Sequence, residues 1–366
     1  MQRLINKYLN KLNTQGLSHP EDTTFAACDD RVYSNRKVTR DLMTVFDKLN
    51  INSIIIAKPK SPYREILEYL VVGNGNCIIP QDCETRTFLH DIPVIREITA
   101  MSLIDALSKR RSAVSKDGRI ISYGMISPEQ AYVNFSSTCF SLFIKYFLDQ
   151  IESQVETRTP DIFRYISDIQ HISLRENSIF EVGRALVSLR LVDSYFGNIS
   201  FVEDNAIHIT QTGSSLDELE GNIDIVPLNM TSTTGVTSSS EFSTHRAVYQ
   251  KTDFRYILHG HPPFTVIQSM LCDEKGCMRG DMCYQSCKKD RYFEGIPIVS
   301  GEIGTGPTAL VNTVPDAMTR SHAVIVYGHG VFVASRDGFQ GCLDEVIRIE
   351  NMAIQSLRYR LCRKGH

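Results

Sequence analysis

Short apolar runs alternate with amphipathic stretches along the first 150 residues, and that alternation restricts the chain to layered α/β architectures. Ser53-Ile54-Ile55-Ile56-Ala57 has the length and β-branched content of a buried strand, and Tyr63 to Val71 follows with helical character. Cys77-Ile78-Ile79 and Ile92-Pro93-Val94-Ile95 read as further short strands, and residues 102–110 suit a helix. Asp117-Gly118 is a turn signal between Ala113-Val114 and Ile120-Ile121. Ser127-Pro128-Glu129-Gln130 supplies a cap, a proline at the first helical position and a glutamine three residues after the cap, so it opens a long apolar helix to about Asp149. At the start of the chain Leu4, Ile5, Tyr8, Leu9 and Leu12 recur at helical spacing, without the continuous apolar core or cleavage site of a secretory signal.

A chain of 366 residues is long enough for two cores. Residues 152–172 are more polar, contain Pro160 and read as a linker, which sets a smaller N-terminal α/β domain of unassigned role (1–151) before a second domain (173–366). Ser173 and Glu176 have capping-box spacing, and the helix expected after them presents Ile179, Val182, Leu186 and Leu189 on one face. Glycine-punctuated strands follow, then a helix from about Asp337 to Arg360. The sequence contains no internal repeat and no low-complexity tract. A formal net charge of −3 gives no electrostatic reason for a nucleic-acid partner. No apolar run approaches the roughly 18 residues of a membrane helix. Ten cysteines without an export signal point to reduced thiols or metal ligands, and the expected location is cytoplasmic.

His259-Gly260-His261 is the sharpest local feature. Alternate residues of a strand face one side, so both imidazoles aim at one point, and Pro262-Pro263 ends the strand just beyond. Neutral imidazole is the commonest metal ligand, although a strand-end pair without a metal fits the same three residues. Upstream, Ser238-Ser239-Ser240-Glu241 precedes a helical stretch, and the serines suit its N-cap. Downstream, Val324 to Tyr327 forms a strand ending in Gly328-His329-Gly330. Three histidines and one carboxylate are a plausible zinc set.

The order Gly197-Asn198-Ile199-Ser200, Thr210-Gln211-Thr212-Gly213, Ser239-Ser240-Glu241-x-x-x-His245, His259-x-His261-Pro262 and Gly328-His329-Gly330 resembles the class II aldolase/adducin superfamily over residues 174–361. The resemblance implies a three-layer α/β/α domain around a mainly antiparallel sheet, a homotetramer, and active sites near subunit interfaces. It implies that His259, His261 and His329 hold a divalent metal, with zinc expected. Glu241 would touch the metal and act as acid/base, and Asn198, Thr212, Gly213, Ser239 and Ser240 would cradle a substrate phosphate. His245 is implied to be structural. The implied activity is a metal-dependent, aldolase-type lyase on a phosphorylated keto sugar, passing through an enediolate. A 4-epimerase or dehydratase would use the same ligands, and adducin-like proteins keep the fold as an interaction module.

Several features fall outside that pattern. Cys272, Cys277, Cys283 and Cys287 lie within sixteen residues, a density that fits a second structural zinc, an iron–sulfur cluster or a loop of free thiols. Gly301 to Pro307 is glycine-rich but lacks a Walker lysine. The acid that completes the implied reaction is not fixed by pattern, and Tyr284, Asp281 and Tyr359 are all candidates.

Overall fold

The computed structural model describes residues 1–153, 162–193, 195–229, 234–274, 277, 282–304 and 306–362. Backbone contacts divide the chain into two compact units, Met1–Ile166 and Ser167–Lys364. Of the expected linker, residues 154–161 lie outside the described residues.

Unit 1 opens with helix α1 (Gln2–Thr14), which buries Ile5, Tyr8, Leu9 and Leu12 and leaves Leu4 at its margin. Its seven-stranded sheet contains β1 (Ser18–Cys28), β2 (Val32–Ser34), β3 (Ser53–Pro59), β4 (Cys77–Ile78), β5 (Ile92–Ile95), β6 (Ser112–Ser115) and β7 (Ile120–Gly124). The strands lie in the order β2-β1-β3-β7-β6-β5-β4. Between and after them come α2 (Arg40–Lys48), α3 (Tyr63–Gly73), α4 (Cys83–Leu89), α5 (Ala100–Leu107) and the 25-residue α6 (Pro128–Glu152). Helix α5 begins two residues earlier than its apolar pattern suggests, because Thr99 and Ser102 form a reciprocal capping box. Ser127 caps α6 by accepting from the Gln130 N–H, while the Gln130 side chain accepts from the N–H groups of Met125 and Ile126. One core of unit 1 joins Val45, Leu103, Ala106 and Leu107 from the helices to Ala26, Ile54, Ala113 and Ile121 from the sheet.

Unit 2 layers helices on both faces of a second sheet. Helix α7 (Ile179–Ser188) starts five residues later than the Ser173–Glu176 spacing implies. Its cap is Ser178, and the Glu181 carboxylate reaches back to the N–H groups of Arg175 and Glu176, so those residues form the entry turn and not the helix. The eight-stranded sheet holds β8 (Asn198–Glu203), β9 (Ala206–Thr210), β10 (Ile223–Pro227), β11 (Tyr256–Gly260), β12 (Arg291–Phe293), β13 (Ile296–Val299), β14 (Ala323–Val326) and β15 (Gly330–Ser335). Their order is β10-β9-β8-β11-β15-β14-β13-β12, antiparallel except for β13 with β14. Helices α8 (Phe242–Lys251) and α10 (Val314–Met318) supply Val248, Val314, Ala317 and Met318 to one face, against Ile257, Val324, Phe332 and Ala334. Helices α9 (Pro263–Met270) and α11 (Phe339–Cys362) pack together and against the central strands, whose alternate residues Leu258, Val331 and Val333 are buried. Among the described residues no helix is long and apolar enough to cross a membrane.

Candidate metal centre

The site is built on the central strand of unit 2. His259 lies on β11, flanked by Asn198 of β8 and Phe332 of β15, and His261 follows one residue beyond the strand. Pro262 and Pro263 then start α9 at once, which fixes the exit of the chain. His329 occupies the turn from β14 to β15. Gly328 takes a left-handed φ of 60° there, and the Gly328 N–H donates to Ser269 Oγ at 2.8 Å. Gly330 is required by space, because a Cβ at that position would stand 2.3 Å from the Gly260 carbonyl oxygen and 2.8 Å from His261 Cδ2.

These elements bring the three Nε2 atoms together. His261 Nε2 is 2.9 Å and His329 Nε2 3.1 Å from His259 Nε2. Glu241 completes the group, one carboxylate oxygen 3.3 Å from His259 Nε2 and the other 3.3 Å from His329 Nε2. All four side chains are at most 4% exposed. His259 Nδ1 is 3.1 Å from the Val331 carbonyl, so it donates there and leaves a bare lone pair on Nε2. Two further rings crowd that single lone pair. Glu241 Oε1 and His261 Nδ1 have no hydrogen-bond partner.

Burial sets the charge state. It pushes His259 down to about 3, against the bond to Val331, and His329 down to about 4, against the neighbouring Glu241 carboxylate. His261 lies well below its ordinary value for the same reason. All three rings are therefore neutral near pH 7 and able to act as ligands. Burial raises the Glu241 carboxyl, opposed by His329 and by a 2.7 Å bond from Asn198 Nδ2. Three neutral imidazoles and a carboxylate aimed at one enclosed point fit a divalent cation, and among the described residues the histidine triad is the one convergent ligand group.

The neighbouring residues divide. Glu241 itself stands at the N-cap of α8 and its carboxylate caps nothing, whereas Ser239 Oγ accepts from the Glu241 N–H. The expected serine cap is thus displaced by one residue, which frees the carboxylate to face the histidines. His245 points away into a hydrogen-bonded pair with Ser200 at 2.7 Å, and burial pushes it down to about 3. His208 stacks on Phe201, and His322 meets Glu345 at 3.2 Å. Asn198, expected in the phosphate cradle, is held by Glu241. Thr212, Gly213 and Ser240 are exposed and Ser239 is buried, and their two segments abut through the Gln211–Ser238 bridge and the Thr212 bond to the Ser238 carbonyl.

Two supporting residues escaped the sequence reading. Phe332 stacks on His259 with ring centroids 4.0 Å apart, and Asp224 ties Gln211, Thr237 and Ser238 together. Phe332 could have been found by counting strand register out from Val331; Asp224 left no signal. Cys272, Cys277 and Cys287 are exposed and Cys283 is buried, with its thiol raised chiefly by burial. Their sulfurs do not form a convergent ligand group among the described residues. The Gly301 N–H donates to the Tyr284 carbonyl and Ser300 Oγ to the Cys283 carbonyl, which ties the start of the glycine-rich loop to this region. Tyr284 is half-buried, Tyr359 is exposed, and Asp281 lies outside the described residues.

Residues 177–355 match the family model of the Class II Aldolase and Adducin N-terminal domain. Among solved structures, the L-fuculose-1-phosphate aldolase from Thermus thermophilus is 21% identical, covers 50% of this chain and 91% of its own, and gives a TM-score of 0.38. The sugar-phosphate aldolase from Thermotoga maritima is 20% identical over 51% of this chain and 94% of its own, with a TM-score of 0.37. No curated protein matches the chain. The resemblance of the second half of the chain to the class II aldolase and adducin superfamily is thus borne out over residues 177–355.

Proposed function

We propose that unit 2 is a metal-dependent lyase of the aldolase type, acting on a small phosphorylated ketose. The observation that carries this reading is the convergence of three buried, neutral imidazoles, two of them against the Glu241 carboxylate. His259, His261 and His329 would hold a divalent ion, with zinc the first candidate for this donor set. Such an ion would polarise a substrate carbonyl and stabilise the negative charge that develops as the carbon–carbon bond breaks. Glu241 takes the hydroxyl proton of the cleaving substrate, a task suited to a carboxylate whose proton affinity burial has raised. Asn198 holds that carboxylate by its Oε2 and so orients it. The abutting Thr212–Gly213 and Ser239–Ser240 segments offer uncharged donors for a phosphate.

A 4-epimerase or dehydratase would draw on the same side chains, and an adducin-like interaction module would need none of them. The reading is tested by assaying a panel of ketose phosphates for release of dihydroxyacetone phosphate, beside metal analysis. Glu241→Gln is expected to fold, to retain metal and to lose about 10²–10⁴ of turnover. Wild-type turnover in that variant would remove Glu241 as the base. A protein that takes up no divalent metal would favour the interaction-module reading.

A further inference from the structure

The two sheets repeat one plan. The order β2-β1-β3-β7-β6-β5-β4 of unit 1 corresponds strand for strand to β9-β8-β11-β15-β14-β13-β12 of unit 2, with β10 added at the edge. Each pairing keeps its sense, and the single parallel pair, β5 with β6, matches β13 with β14. Helices occupy the same gaps: α2 and α8 precede the central strand, α3 and α9 follow it, α5 and α10 connect the parallel pair, and α6 and α11 come last.

The registers agree as well. Ile56 pairs with Thr24 on one side and Ile121 on the other, as His259 pairs with Asn198 and Phe332. Val45 and Ile121 fill one core as Val248 and Phe332 fill the other. The chain therefore holds one fold twice, a repeat that its residues do not display. By this register Ile56 stands for His259, Lys58 for His261, and Gly118 for His329. Counting back from the equal helix-to-strand connections, Val38 stands for Glu241. None of the four can serve as the ligand it replaces.

A cavity of about 340 Å³ opens where two of these replacements meet, lined by Asp22, Lys58, Arg64, Glu68, Asp117 and Gly118. That volume suits a small metabolite. Among the described residues Lys58 Nζ has no carboxylate within ion-pair distance, and Arg64 spends only its Nε, on the Pro59 carbonyl. Asp117 is already paired with Arg119.

We propose that unit 1 is a second copy of the fold that has exchanged its metal centre for an anion pocket. Lys58 and Arg64 bind the phosphate or carboxylate group of a small hydroxylated molecule there, and Asp22 and Glu68 accept from its hydroxyls. The mapping rests on the metal reading of unit 2, but the pocket stands without it.

The test is residue-resolved acetylation of lysines in the intact protein, read by mass spectrometry with and without millimolar inorganic phosphate. Phosphate is expected to slow Lys58 about tenfold, an occupancy effect worth about 1.4 kcal/mol, while exposed Lys48 is unaffected. Arg64→Ala should remove that protection and leave metal content unchanged; both side chains are exposed, so the variant is expected to fold. Equal Lys58 rates with and without phosphate would overturn the anion pocket. A metal equivalent that survives His259→Ala and disappears in Asp22→Asn/Asp117→Asn would overturn the metal-free assignment. Neither result bears on whether unit 2 is a lyase.

Discussion

At the centre of each sheet one residue faces the same pair of neighbouring strands, and the two units fill it oppositely. In unit 1 it is Ile56, half-buried against Ile121; in unit 2 it is His259, fully buried and stacked on Phe332. The strand order, the single parallel pair and the terminal long helix do not depend on which is present. The fold is thus a frame indifferent to its site, and the chemistry resides in a handful of positions.

The largest expected contrast comes from deleting those two side chains. His259→Ala should reduce bound metal from one equivalent per chain to none by elemental analysis, because it removes the ring that the other two approach. Ile56→Ala should leave metal untouched and cost stability alone, at the lower end of the roughly 2–5 kcal/mol range for Ile→Ala because the residue is only half-buried. Metal retained by the first variant would break the comparison.

The residues behind them sharpen it. Phe332→Ala is expected to destabilise by about 3–5 kcal/mol and also to weaken metal affinity by roughly tenfold, since the ring that orients His259 is gone. Ile121→Ala should show the stability loss without any change in metal. Denaturant melts with and without chelator separate the two effects.

A smaller effect concerns one buried carboxyl in each unit. Burial lifts Asp82, at the cap of α4, to about 6, and Glu350, which accepts from the Phe264 and Thr265 N–H groups, to about 7. Both folded values lie above the unfolded ones. Each contribution is therefore complete at acid pH, below the unfolded value, and is lost as pH rises, through about 6 for Asp82 and about 7 for Glu350. The loss is on the order of 1–3 kcal/mol per group. Melts at pH 5 and pH 8 should show it, and Glu350→Gln should flatten the upper part of the slope. The smallest change is expected from serine at any two of Cys272, Cys277 and Cys287: metal held by the histidines should not move, and a second equivalent that vanished with them would mark the loop as a separate site.

Parts of this were legible in residues alone. His259 and His261 announce themselves because a strand has period two, and His329 because glycines bracket it at a strand end. Ser127 was readable as a cap, but Ser173 was not the cap of α7, since Glu181 wraps the chain back on itself before the helix begins. The bond from Asn198 to Glu241 joins residues far apart in the chain, and no local pattern encodes it. The duplication was invisible for a deeper reason. Pairs such as Val45 with Val248, or Ile54 with Ile257, preserve apolar character and register, and nearly any apolar residue satisfies both.

Gly330 is as much a part of the centre as the rings that it admits. A side chain there would run into the Gly260 carbonyl and the His261 ring, with His259 Cε1 only 3.1 Å from its Cβ. Arg119 occupies the corresponding place in unit 1, at the mouth of β7. Histidines placed together at positions 56, 58 and 118 are therefore expected to gather a metal only when glycine also replaces Arg119, which metal analysis of the two variants would show.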